Sequence, residues 1–260
     1  MKKKKKIINN NGLITYKNLD LRKLLLLEYQ KITNKSHYVG KYDIPALYCN
    51  TDIFPDFIAL YSEKSYYFRT ELTAIGFFQF DIEFDGQHGL YNAIYYNNKE
   101  DLAKFKERFK GIKFVFTPDY SLLEDSDEAE NIYRLKKMRV VSLWFINELG
   151  VIVIPIISFP SIRMIDYYLE GLENSSVVGI STKGHIDEPN EYNILCKMIK
   201  YIVEKKYNLK AIIVYDVCGN SYKTYQAFKI AEDLGVKIII PDNSLKLQNE
   251  KRWREKHETL

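Results

Sequence analysis

The chain has 260 residues, of which 46% are apolar, 28% charged and 14% aromatic, with 12 Gly, 7 Pro and 3 Cys. Those proportions suit a folded core and exclude collagen-like, disulfide-framework and fully unstructured chains. The formal charge is +4, but five of the lysines are consecutive at 2–6; without them, and without the five basic and three acidic residues of 244–260, 28 basic face 31 acidic residues, so bulk charge implies no basic nucleic-acid groove.

Positions 1–12, lysines and then Ile7-Ile8-Asn9-Asn10-Asn11-Gly12, hold no apolar stretch long enough for a signal peptide and read as a disordered basic tail. Leu19 to Glu28 reads as an amphipathic helix and Tyr38 to Asn50 as loop or short strand, together an N-terminal cap over 13–54. An α/β domain over 55–245 opens with strands at Phe57-Ile58-Ala59-Leu60-Tyr61 and, longer, at Thr73 to Phe84. Beyond residue 99, helical periodicity alternates with β-branched runs. Leu102, Phe105 and Phe109 share a helical face that stops at Gly111, before a strand over Lys113 to Thr117. Ile132, Leu135, Met138, Ser142, Phe145 and Leu149 form the next face.

Val140 to Phe159 is a run of 20 residues whose only charge is Glu148. Asn147-Glu148, Gly150 and Pro155 interrupt it, so it reads as a helix end followed by a buried strand over 151–157, and no membrane span is expected. A helix from Ile162 to Leu172 leads into Val177-Val178-Gly179-Ile180. The stripe Leu195, Met198, Ile199, Ile202 and Val203 precedes the strand Ala211 to Tyr215. Tyr225, Phe228, Ala231 and Leu234 make the last face, capped at Gly235 before Lys237-Ile238-Ile239-Ile240. Residues 246–260, with Lys251-Arg252-Trp253-Arg254, read as a basic C-terminal tail.

Seven apolar strand runs separated by single helices predict parallel pairing with both sheet faces covered. The expected fold is α/β, with parallel strands alternating with helices in a (β/α) barrel or barrel-like form, plus a small N-terminal helical and loop cap. Three scattered cysteines without a Cys-x-x-Cys pair fit a reducing compartment, and the expected location is the cytoplasm.

In parallel α/β folds ligands bind beyond the C-terminal ends of the strands, so the residues just past each run are the candidates for a site. After the first long strand, a period of two puts Asp81, Glu83 and Asp85 on one face. Then come Thr117-Pro118-Asp119-Tyr120-Ser121, Ser158-Phe159, Ser181-Thr182-Lys183-Gly184-His185, Asp216 and Asp242. Asp81 and Asp119 are the candidate catalytic carboxylates, as a general acid/base pair or, with Glu83, as oxygen ligands for Mg²⁺ or Mn²⁺. Ser158, Ser181, Thr182, Lys183, Tyr120 and Phe159 are the candidate substrate-binding residues, with Lys183 in a turn suited to an anion. Asp216 and Asp242 read as helix N-caps, and the cysteines as buried thiols without a neighbouring base. Nothing has the spacing of a Walker loop, a dinucleotide fingerprint or a His-Glu-x-x-His helix.

Phe80-Asp81-Ile82-Glu83-Phe84, Thr117-Pro118-Asp119-Tyr120-Ser121-Leu122, Val153 to Phe159, Val177 to Gly184 and Ile213-Val214-Tyr215 together resemble the "domain of unknown function 4417" family of phages, plasmids and other mobile elements. The resemblance covers about residues 55–245. Such members often carry adjacent aspartates where this chain has Asp81-Ile82-Glu83, and Trp where it has Phe159. It implies a mobile-element setting and assigns no chemistry. Two functions are therefore carried forward: an enzyme acting on a nucleotide, nucleic-acid base or sugar through strand-end carboxylates, and a non-catalytic replication or host-takeover factor whose basic tails bind nucleic acid.

Overall fold

The computed structural model describes residues 7–8, 14–15, 23–158, 162–206 and 208–257. Ile7–Ile8 pairs antiparallel with Ile14–Thr15, and Tyr38–Val39 with Ile44–Pro45. The helix expected over 19–28 falls partly outside the described residues. Within them, Leu26 adopts a φ of +54°, which a right-handed helix does not accommodate, and Leu24, Leu25 and Leu26 are exposed. One helical turn, Gln30–Thr33, comes next.

The seven apolar runs form short strands, β1 Phe57–Leu60, β2 Thr73–Gly76, β3 Phe114–Phe116, β4 Ile152–Ile154, β5 Val177–Ser181, β6 Ala211–Tyr215 and β7 Lys237–Ile239, and the polar pair Asp242–Asn243 adds β8. All of them pair in parallel, in a five-stranded sheet of order β8-β1-β2-β3-β4 and a three-stranded sheet of order β7-β6-β5. Just beyond β4 the chain bridges to β5: Gly179 N–H donates to the Pro155 carbonyl at 2.7 Å, and Ile157 N–H to the Gly179 carbonyl at 2.9 Å. At the other end, only Ile240 and Pro241 separate β7 from β8.

Alternation along the strands divides the core. Ile58, Ala74, Phe116, Ile154, Ile213 and Tyr215, drawn from both sheets, meet in one buried cluster. Their neighbours Ala59, Ile75, Val115, Val153, Ile212 and Val214 belong to the second and larger cluster, which the helices cover. Gly179 lies against the smaller cluster. A Cβ there would stand 2.7 Å from a Phe116 ring carbon and 2.9 Å from Ile156 Cδ1. Gly179→Ala is expected to cost about 1–3 kcal/mol through overpacking, read as a lower denaturation midpoint; an unchanged midpoint contradicts this packing.

The helices are α1 Leu90–Tyr95, α2 Lys99–Arg108, α3 Glu128–Trp144 continued by a π-helical turn at Phe145–Leu149, α4 Ile162–Leu169, α5 Pro189–Lys205, α6 Tyr222–Asp233 and α7 Ser244–His257. Asp127 caps α3 by accepting from Glu130 N–H at 2.8 Å. Among the described residues no helix is long and apolar enough to cross a membrane. The segment read as a C-terminal tail is helical from Ser244 to His257, directly after β8.

The long strand expected over Thr73 to Phe84 is corrected: β2 ends at Gly76. Gln79 N–H turns back onto the Phe77 carbonyl at 2.7 Å, and Asp81–Glu83 forms a 3₁₀ turn. Phe77 and Phe78 still alternate, one into each core cluster, and the chain leaves the sheet at Gln79, whose side-chain amide exchanges hydrogen bonds with Ser62: Nε2 donates to Ser62 Oγ at 2.7 Å and Oε1 accepts from Ser62 N–H at 3.1 Å. Beyond the bend, the alternation of Phe80, Asp81, Ile82 and Glu83 is no longer that of a strand, and Phe80 and Ile82 are 83% and 84% exposed.

Candidate functional site

At the C-terminal ends of the strands, Phe78 stacks on Tyr215 with ring centroids 4.3 Å apart and meets Phe116 edge-on at 5.3 Å. Of these rings, Phe78 lines a cleft of about 350 Å³. Asp119 comes after β3, Ser158 after β4, and Ser181 to Gly184 ends β5; their side chains and that turn form the walls, with Phe80, Ser121 and His185 at the margin.

Asp119 is the electrostatic centre. Burial pushes its carboxyl up from 3.8 to about 6; the hydroxyl of Ser158, hydrogen-bonded to it, pulls the other way, the Asp81 charge adds to the rise, and the Lys183 ammonium opposes it. Lys183 Nζ donates to the Phe78 carbonyl at 2.9 Å, so the cation spans from the β5 turn to the β2 end. Its own N–H donates to Ser181 Oγ at 3.2 Å, and Gly184 reverses the turn at a φ of +83°, where a side chain would be strained. His185 Nδ1 lies 3.0 Å from Glu191 Oε2.

Asp81 stands behind this cleft. Its Oδ1 accepts from Ser121 N–H at 3.3 Å and Oγ at 3.2 Å, while its Oδ2 takes Arg134 Nη1 at 2.8 Å. Arg134 also donates to Glu130 Oε1 and to the Ser121 carbonyl. Asp81 therefore biases Asp119 through its charge while its own oxygens are engaged. Asp85 pairs with Lys137, and Glu83 is exposed, so the expectation that Asp81, Glu83 and Asp85 share one face is corrected: a 3₁₀ turn spreads them. Among the described residues no group of three or more His, Cys, Asp or Glu is gathered to hold a metal ion.

Four of the sequence candidates, Asp119, Ser158, Ser181 and Lys183, line the cleft together. Tyr120 lies beneath it, 2% exposed, with Lys137 over its ring at 4.5 Å and Phe84 edge-on at 5.2 Å. Thr182 points to the opposite side of its turn: fully buried, it donates to Asp216 Oδ1 at 3.0 Å. Phe159 lies outside the described residues. Arg134 was missed as a site residue, and Ser121 and His185 were placed at the strand ends but given no role. His185 carried a signal, since it comes directly after the Lys-Gly turn; Arg134 carried none, being 53 residues from Asp81 in sequence.

Asp216, expected as a helix cap, is fully buried and takes three hydroxyls and an amide: Thr182 and Thr224 at 3.0 and 2.9 Å, Ser221 at 2.9 Å and Cys218 N–H at 3.1 Å. Asn243 of β8 donates to its carbonyl at 2.7 Å. This knot fixes the β5 turn that carries Ser181 and Lys183 against the ends of β6 and β8.

No curated protein and no solved structure matches the chain. The model of one family, described as Domain of unknown function (DUF4417), matches residues 36–231. That span contains β1 to β6 and every residue that lines the Asp119 cleft, and the chain belongs to this family.

Proposed function

We propose that this protein is a mobile-element enzyme that moves protons on a nucleotide, nucleic-acid base or sugar in the Asp119 cleft, at the mouth of a barrel-like ring of parallel strands. Support for the ring comes from the Ile156–Gly179 bridge and from the single inner cluster drawn from both sheets. The function rests on one observation: a carboxyl raised to about 6 in a cleft that also holds a hydroxyl and an ammonium. A group titrating there is ionised enough near neutrality to take a proton and basic enough to do so usefully.

Asp119 is then the catalytic base, Ser158 holds its carboxylate, and Lys183 receives an anionic group of the substrate. Asp81 is a positioning residue that keeps Asp119 from ionising too readily. A panel of nucleoside monophosphates, nucleoside triphosphates and single-stranded oligonucleotides, monitored by chromatography, supplies the test. Turnover of at least one substrate, reduced about 10²–10⁴-fold by Asp119→Asn, is expected. Equal turnover by the variant, or none by folded wild type on the whole panel, overturns the reading.

Lys183→Met gives an independent check with a defined sign. Its positive charge favours the Asp119 carboxylate, so removing it raises the Asp119 pKa beyond 6 and shifts the acid limb of the pH–rate profile to higher pH. A limb that stays in place, or moves down, contradicts the pairing.

A further inference from the structure

A second cleft, of about 440 Å³, adjoins the first across the Lys183–Gly184 turn, and Gly184 lines both. Its far wall is α7. Asn249 Nδ2 donates to the Val217 carbonyl at 2.8 Å. At Gly219 the helix comes so close that a Cβ would stand 2.6 Å from the Asn249 carbonyl oxygen and 3.1 Å from Trp253 Cβ. These contacts seat the helix on the loop after β6 and present Trp253, 40% exposed, to the cleft, with Arg252 and Lys256 beside it.

The charges on α7 are sorted by face. Lys251 lies 4.0 Å from Glu255, and Arg254 lies 3.6 Å from Glu250. Arg252 and Lys256, the two cations that line the cleft, have no ion pair among the described residues. An exposed indole flanked by two such cations is the equipment of a stacking and phosphate-binding platform. Asp187 lines the same cleft and offers an acceptor to a base amino group or a sugar hydroxyl.

Each cleft is large enough for one nucleotide. The first holds one cation, Lys183, and the second holds two with an aromatic face. A lone nucleotide fills only one of them, whereas consecutive nucleotides fill both. A duplex hides the base faces that Trp253 would stack on, which leaves a single strand as the fitting ligand.

We infer that the substrate of the Asp119 cleft is a nucleotide within a single nucleic-acid strand, whose neighbouring nucleotide stacks its base on Trp253 and sets its phosphates on Arg252 and Lys256. This rests on the catalytic role proposed for Asp119 and narrows its substrate class.

Trp253 supplies the probe. The chain has two tryptophans, and the other, Trp144, is 1% exposed, so quenching of exposed indole fluorescence reports on Trp253. The full chain is titrated with an oligothymidylate of about ten nucleotides, with thymidine monophosphate and with a duplex of equal length. Saturable quenching by the oligothymidylate is expected at concentrations where the other two have little effect. By anisotropy of a labelled oligothymidylate, Trp253→Ala is expected to bind about tenfold more weakly. Arg252→Ala/Lys256→Ala is expected to lower the salt dependence of log K by about 1.4, two phosphates at roughly 0.7 each. Circular dichroism confirms that each variant is folded.

Absence of quenching by the oligothymidylate, equal quenching by the monophosphate, or wild-type binding by both variants overturns the inference. Reading quenching and turnover separately on the wild-type chain distinguishes this inference from the catalytic role. Quenching without turnover defeats the Asp119 chemistry alone, and turnover of free nucleotides without quenching defeats the strand alone.

Discussion

Asp119→Asn is expected to unfold at a higher temperature than wild type at pH 8 and at the same temperature near pH 4. The folded carboxyl titrates at about 6 against 3.8 when unperturbed, so between those values the folded chain binds more protons than the unfolded one. Stability therefore falls as pH rises from about 4 to 6, and the full penalty persists above that range. A shift of about two units corresponds to about 3 kcal/mol, and Asn carries none of it because it does not ionise. The hydrogen bond from Ser158 to a charged acceptor offsets part of the gain. For a chain of this size, a rise of roughly 5 °C at pH 8 is expected in a thermal melt. A fall at pH 8 would mean that Asp119 is a structural carboxylate, and its catalytic role would go with it.

Asp216→Ala is expected to have the opposite effect and the largest on stability. The carboxylate is fully buried, and its removal strands the hydroxyls of Thr182, Thr224 and Ser221 and the amide of Cys218 together. Losing a buried charged acceptor with several donors costs about 3–5 kcal/mol, read from the midpoint of urea unfolding. Because the same carboxylate pins the turn carrying Ser181 and Lys183, any folded fraction is expected to lose ligand binding as well. A midpoint within about 1 kcal/mol of wild type would show that the hydroxyls find other partners. The pair of aspartates thus separates two roles that look alike in sequence: one is held at a cost in a cleft, the other satisfied in the core.

Most of the strands were legible because buried parallel strands are written as short β-branched runs ending at polar residues, as at 211–215 and 177–181. The break after Gly76 was not, since Phe77-Phe78 followed by Phe80, Asp81, Ile82 and Glu83 imitates the period of a strand. What ends β2 is a tertiary fact: the Gln79 side chain ties the chain to Ser62, after β1, and turns it off the sheet. The helix α7 was illegible for another reason. Its face packs through Asn249 and a glycine contact instead of an apolar stripe, so its charges look like those of a solvated tail.

The cleft was legible as a place, because strand ends converge wherever strands run parallel, and Asp119, Ser158, Ser181 and Lys183 meet there. Thr182 was assigned to it by adjacency alone. The alternation that aims Ser181 and Lys183 into the cleft necessarily sends Thr182 to the far side, where Asp216 takes its hydroxyl. The restraint on Asp81 could not be read at all, because Arg134 reaches it from a helix 53 positions away and nothing local marks the pair.

Every role assigned to the cleft depends on an Asp119 carboxyl poised near neutrality. Its side-chain carbon resonance, assigned by its disappearance in Asp119→Asn, can be tracked by NMR from pH 3 to pH 8. A midpoint near 6 is the predicted result. A midpoint near 4, the value of an ordinary aspartate, would contradict it, because the carboxylate would then be too weak a base to take a proton from a substrate near neutral pH.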